Sequence, residues 1–209
     1  CVIVCDQAGA CDTVIVPISV IPRNDAPTAV NDIVSTSEGT SLAISVLNND
    51  SDIDTTLNPG SVAVIGGPSN GTISVNPTNG VITYTPSGNF NGQDTFTYVV
   101  CDNGIPLPAL CDTATVFITV TPANDTPTIV QPPVTLPEDS TITFCPTIND
   151  IDNGDVLTVS LCGGPNHGNA TVTSNCITYT PTGNYNGQDT LCVIVCDQAG
   201  ACDTVIVPI

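Results

Sequence analysis

The first eighteen residues, CVIVCDQAGACDTVIVPI from Cys1 to Ile18, return letter for letter at Cys192 to Ile209. A chain that repeats a segment without change reads as part of an array with a period of 191 residues. Such an array reuses one folded unit to build length, whereas an active site is normally needed once. Within the period the phrase Asn-Asp-x-Pro occurs at Asn24–Pro27 and Asn124–Pro127, each time after a strand-like run, SVIP at 19–22 and VFITVTP at 116–122. These phrases mark joints. They predict that residues 1–22 are the closing strands of a preceding domain, 23–122 a complete domain, and 123–209 a second domain truncated at its C-terminal end. Domains of about 90 to 100 residues are an ordinary size for a single core.

The two domains match best at TYTPSGNFNGQDT (83–95) and TYTPTGNYNGQDT (178–190), so one fold serves both. Apolar and polar residues alternate with period two in SLAISVL (41–47), SVAVI (61–65), GTISV (71–75), VITYT (81–85), TFTYVV (95–100) and TATVFITV (113–120). That is the period of strands, and no segment carries a helical one. With TAVNDIVST (28–36) the count is seven strands, A to G, separated by Gly, Pro, Asn and Asp turns. Seven short strands in about 100 residues predict an all-β fold, tandem seven-stranded Ig/cadherin-like β-sandwiches arranged end to end. The absence of Trp argues against the antibody type of core.

Composition narrows the partners. Arg23 is the only Lys or Arg against twenty Asp and Glu, giving a net charge of -19. Nucleic acid and anionic membrane surfaces select basic patches and are disfavoured, and no apolar run is long enough for a membrane span. Eleven Cys without a metal-knuckle spacing point to disulfides and an oxidising, extracellular location at the cell surface.

In a sandwich with strands B, E and D in one sheet and C, F and G in the other, strand order selects the cysteine partners. Cys196 and Cys202 flank one F–G turn, Cys101 and Cys111 flank another, and Cys5 and Cys11 are the repeated copies of the first pair. Each pair is expected to staple its own hairpin. Of the three connectivities open to the other four, the topology favours Cys145 with Cys176 at one end of a sheet and Cys162 with Cys192 at the opposite end of the other. Cys1 is the copy of Cys192, and its partner is expected upstream.

Strand order also locates the acids. A–B and E–F turns lie at one end of each domain, while B–C and F–G loops lie at the other, so carboxylates are expected to meet at the joints. The first joint would gather Asn24, Asp25, Asp50, Asp52, Asp54 and Asp102. The second would gather Glu38 and Asp94 with Asn124, Asp125, Asp150, Asp152 and Asp197, and a third would use Glu138, Asp139 and Asp189. Converging hard oxygens suit Ca2+, which takes six to eight of them. The competing role for each Asp or Asn is a turn hydrogen bond. His167 falls in the turn GGPNHGN with no nucleophile or ordered acid beside it, and reads as a turn residue. No enzyme activity is expected.

The succession SEGT or PEDS, then NNDSDID or NDIDNGD, then TYTPxGNxNGQDT, then VCD and a closing NDxP, resembles the tandem cadherin-like repeats of giant Bacteroidetes-type cell-surface adhesins. The resemblance covers both domains, although no full cadherin LDRE motif is present. It implies calcium at the joints and a structural role in an extracellular filament serving adhesion or gliding motility. The partners it implies are neighbouring repeats of the same chain and lateral filament contacts. A glycan- or protein-binding repeat acting by multivalency is the alternative, and IPLPAL at 105–110 is its one apolar loop.

Overall fold

The computed structural model describes residues 1–152 and 154–209. Two compact units, Cys1–Thr121 and Pro122–Ile209, divide the chain. The first begins with a hairpin of β1 (Val2–Cys5) and β2 (Cys11–Val14), whose residues are all exposed. Its sandwich follows as β3 (Asp32–Ser37), β4 (Leu42–Ile44), β5 (Leu57–Gly66), β6 (Gly71–Val75), β7 (Ile82–Pro86), β8 (Gly92–Asp102) and β9 (Cys111–Thr121). One sheet runs β3-β9-β8-β5 and the other β4-β7-β6. All pairings are antiparallel except β3 with β9, which is parallel from Asp32 opposite Val116 to Ser37 opposite Thr121.

The period-two pattern does what it should. Along β8 the inward residues Phe96, Tyr98 and Val100 are buried and the outward ones are not. They meet Ile82 and Tyr84 from the facing sheet and Val116, Ile118 and Val120 from β9 to form one core.

The second unit contains β10 (Thr128–Val130), β11 (Ile142–Phe144), β12 (Thr147–Asn149), β13 (Thr158–Gly163), β14 (Gly168–Thr173), β15 (Cys176–Pro181), β16 (Thr190–Cys196) and β17 (Cys202–Pro208). Its sheets run β11-β15-β14 and β13-β16-β17, with β10 and β12 paired separately. Ile177, Tyr179, Leu191, Val193, Val195 and Val207 fill its core. Among the described residues no helix is long and apolar enough to cross a membrane.

Three strands differ from the sequence pattern. The run 41–47 is strand only at Leu42–Ile44 and then turns through a 3-10 segment at Val46–Asn48, which drives Val46 into the core. The run 28–36 is split: Thr28 bridges Ser51 alone, and only Asp32 onward joins β9. SVIP at 19–22 forms no strand, and Val20 and Ile21 are 88% and 82% exposed.

Five disulfides cross-link the chain: Cys5–Cys11, Cys101–Cys111, Cys145–Cys176, Cys162–Cys192 and Cys196–Cys202. Cys1 is free and exposed. Three bridges join registered strand partners, Cys5 opposite Cys11, Cys101 opposite Cys111 and Cys196 opposite Cys202. Register alone brings these Cα atoms to 4.0–4.2 Å.

Candidate metal sites and the acids around them

In the first domain the joint residue Asn24 is buried against the F–G loop. Its amide donates to Asp102 Oδ2 at 2.8 Å and to the Pro108 carbonyl at 3.0 Å, while Asp102 accepts from the backbone N–H groups of Gly104 and Leu110. The Asn24 Oδ1 atom is buried without a hydrogen-bond partner. Around it the chain 50–55 folds into an acid-lined turn. Asp52 accepts from the N–H groups of Asp54 and Thr55, and Asp54 accepts from the N–H of Asp25 at 3.3 Å. Asp52 Oδ2 and Thr55 Oγ1 are also buried and unpartnered. Hydrogen bonds led by that from the Thr55 backbone hold the Asp52 carboxyl low, whereas burial first, and the neighbouring Asp52 carboxylate after it, push Asp54 up.

Asp50 is differently engaged. It accepts from Val30 N–H at 2.7 Å and from the Tyr98 hydroxyl at 2.8 Å, so both oxygens serve the fold. Asp32 lies in its field. Burial first, and Asp50 second, push the Asp32 carboxyl up to about 6.

The second domain repeats the plan with a tighter cluster. Asn124 donates to Asp197 Oδ2 at 2.7 Å, Asp197 accepts from Gly200 and Ala201, and Asp125 N–H donates to Asp152 at 2.7 Å. Asp150 accepts from Asp152 N–H through one oxygen, while its Oδ2 is buried with no partner. Carboxylate oxygens of Asp150, Asp155 and Asp197 lie within 4.8 Å of one another. Asn124 foremost, followed by the backbone donors of the F–G turn, holds Asp197 low, whereas burial and then Asp150, Asp152 and Asp197 push Asp155 up. Three carboxylates this close with one orphaned oxygen fit a divalent cation.

Asp155 was missing from the sequence-based ligand set. The signal was present: Asp54 stands at the end of the matching NNDSDID loop, and NDIDNGD carries one more residue before its last acid.

The acids at the opposite ends behave otherwise. Asp94 takes the N–H groups of Ser69, Asn70 and Thr95 and the Tyr84 hydroxyl, and Asp189 takes those of Asn166, His167 and Thr190 and the Tyr179 hydroxyl. Burial raises both carboxyls, but the combined donors outweigh it and leave them lowered. Each acts as the brace of a C–D turn, with four donors on its two oxygens. Glycine makes the brace possible, since a Cβ at Gly168 would meet the Tyr179 ring at 2.6 Å, and one at Gly71 would overlap Tyr84.

Glu38 is buried and accepts from the Asn91 amide. Glu138 borders a cavity, and Asp139, in the left-handed region at φ 59°, accepts from Asn184 N–H. His167 stacks on Tyr185 at 4.2 Å between ring centroids, in keeping with a turn residue.

Comparison with known proteins agrees with this architecture. Protocadherin gamma C5 EC1-3 superimposes with a TM-score of 0.55 at 15% identity, covering 90% of this chain and 69% of that one. Protocadherin gamma B2 extracellular cadherin domains 3-6 gives 0.50 at 17% identity, covering 97% and 56%. Protocadherin gamma B7 domains 1-4 gives 0.49 at 19% identity over 89% of this chain, which spans about half, 51%, of that one. The first two likenesses speak to fold alone. No curated protein matches the sequence. Residues 24–119 and 124–209 each match the bacterial Ig domain family, and the chain therefore belongs to it, as tandem Ig/cadherin-like sandwiches.

Proposed function

We propose that this chain is a structural repeat of an extracellular cell-surface adhesin filament, acting as a calcium-rigidified and disulfide-stapled spacer in adhesion or gliding motility. The observation that carries the reading is the acid cluster of Asp150, Asp155 and Asp197 with a buried, unpartnered oxygen on Asp150. Asn24 Oδ1 and Asp52 Oδ2 supply the matching orphans in the first domain. Calcium would be held at the joints by Asn24, Asp25, Asp52, Asp54 and Asp102, and by Asn124, Asp125, Asp150, Asp152, Asp155 and Asp197, with Glu38, Glu138 and Asp139 as further donors. Its chemistry there is charge neutralisation: a chain of net charge -19 repels itself until a cation binds. Residues 1–22 belong, in this reading, to the end of a preceding repeat domain.

Small-angle scattering of a tandem of two 191-residue units tests the proposal. Calcium should lengthen and stiffen the particle and raise its melting temperature, and chelator should reverse both. An unchanged maximum dimension and melting temperature would refute it. Ile105 and Leu107, 72% and 84% exposed on the F–G loop, favour the second reading of a multivalent binding module. Saturable binding of single units to glycans or cell surfaces would establish that one instead.

A further inference from the structure

Along the larger sheet of the first domain, strand parity fixes which residues lie on the outer face. They are positions 33, 35 and 37 on β3, the odd ones from 93 to 101 on β8 and the odd ones from 111 to 121 on β9, and none of them is charged. The acids of these strands, Asp32, Asp94, Asp102 and Asp112, all take the opposite, inward parity. A solvated sheet does the reverse with its charges, pointing them at water. In a chain of twenty acids against one Arg, a broad outer face free of charge has the composition of a covered surface.

The centre of the face is apolar. Register sets Ile33 beside Phe117 and Phe117 beside Thr95 in one row across three strands, with Thr115 and Thr97 in the next. Ile33 is 84% exposed and Phe117 43% exposed, so both keep much of their surface in water. The smaller sheet has no such centre. Its outward row of Ala43, Thr83 and Ser74 is small, and in the row beside it the Ser41 and Thr85 hydroxyls satisfy each other at 2.8 Å.

We propose that the outer face of β3-β9-β8 docks on the same face of a second copy of this chain, in a two-fold contact with Phe117 and Ile33 of both copies at its centre. Charge selects the occupant. Two copies of net charge -19 repel wherever their acids meet, and these strands offer them a surface where none do. A cationic partner would be drawn to the acid-rich loops instead. The Ser and Thr hydroxyls around the centre both donate and accept, so the surrounding rim is complementary to itself. Area sets the strength. β8 and β9 are eleven residues long, and a four-stranded face of that length, about 36 by 19 Å, covers on the order of 600 Å² of each copy. That is about 1,200 Å² in total, the lower end of what a specific interface buries, so the contact is reversible. It needs no calcium, since no acid lies in it.

Sedimentation equilibrium of the full chain in chelator tests the proposal, with Cys1→Ser throughout so that no disulfide joins the copies. The mass should rise with concentration from 21.3 kDa toward twice that value. Raising salt from about 0.05 to 0.5 M should tighten the dimer several-fold, because screening removes repulsion between the copies, whereas a contact made of ion pairs would weaken. Ile33→Asp and, separately, Thr95→Asp each put a carboxylate at an exposed position on the face. Each should leave the melting of the monomer unchanged and weaken the dimer at least roughly tenfold. Ala43→Asp adds the same charge to the exposed side of the other sheet and should leave the dimer intact. A chain still monomeric at about 1 mM in high salt would overturn the proposal. So would a dimer that survives both Asp variants or that Ala43→Asp breaks equally. A monomer captured by a glycan through this face, and released by both variants, would assign the face to carbohydrate instead.

Discussion

The two domains share a topology but stabilise it by different means. The first builds its core around Tyr84, Phe96 and Tyr98 and carries a single disulfide inside its sandwich, Cys101–Cys111. The second has Leu191 and Val193 where the first has Phe96 and Tyr98, and it carries three bridges, two of them spanning 31 and 30 residues. Cross-links there compensate for lost aromatic volume. The same replacement reaches the acids. Tyr98 satisfies Asp50 Oδ2 in the first domain, whereas Val193 offers nothing to Asp150, whose Oδ2 stays buried and unpartnered. A core substitution thus leaves unpartnered in one domain the carboxylate oxygen that a tyrosine satisfies in the other.

Reduction should separate the domains most strongly. By loop-closure entropy each long bridge contributes about 3 to 4 kcal/mol, so a reductant should unfold the second domain while the first still melts cooperatively. Calorimetry with and without reductant reads this directly, and equal losses in both transitions would break the comparison.

A smaller effect is expected from Tyr98→Phe, which leaves Asp50 Oδ2 without its donor. The first domain should lose about 1 to 3 kcal/mol in denaturant titration and the second nothing. The variant should also gain calcium affinity at the first domain, measured by isothermal titration, because its acid then resembles Asp150.

The smallest effect is on pH, measured in chelator. Asp32, raised to about 6 in the fold, has no counterpart in the second domain, where Pro132 stands at its position. The folded state takes up this proton before the unfolded one does, so the first domain should gain stability as pH falls from 7 toward 5. Asp32→Asn should abolish the gain. Asp94 and Asp189 are lowered, so their contribution is present above the unfolded carboxyl pKa of about 3.9 and is lost below it as pH falls through their folded values. Both domains should therefore weaken together under strong acid.

Most strands were legible because a half-buried strand must alternate with period two, and residues 71–75, 81–85 and 95–100 do so. The hairpin pairs Cys101–Cys111 and Cys196–Cys202 follow from neighbouring positions in sequence across a turn. What alternation cannot convey is where a strand stops: Ser41–Leu47 alternates throughout, yet the core draws Val46 inward through a 3-10 turn. Nor does an aspartate announce its partner. Asp94 and Asp150 are both acids beside turn residues, and one is enclosed by four donors while the other keeps an oxygen unpaired.

By itself, then, the order of residues determined the repeat, the all-β class and the acid-rich loops, since each rests on local periodicity or composition. Tertiary structure alone decided which carboxylates accept turn hydrogen bonds and which oxygens lie buried without a partner. Those outcomes depend on groups brought together from distant parts of the chain, such as Tyr98 with Asp50 and Val134 with Pro208, and no local pattern encodes the distance between them.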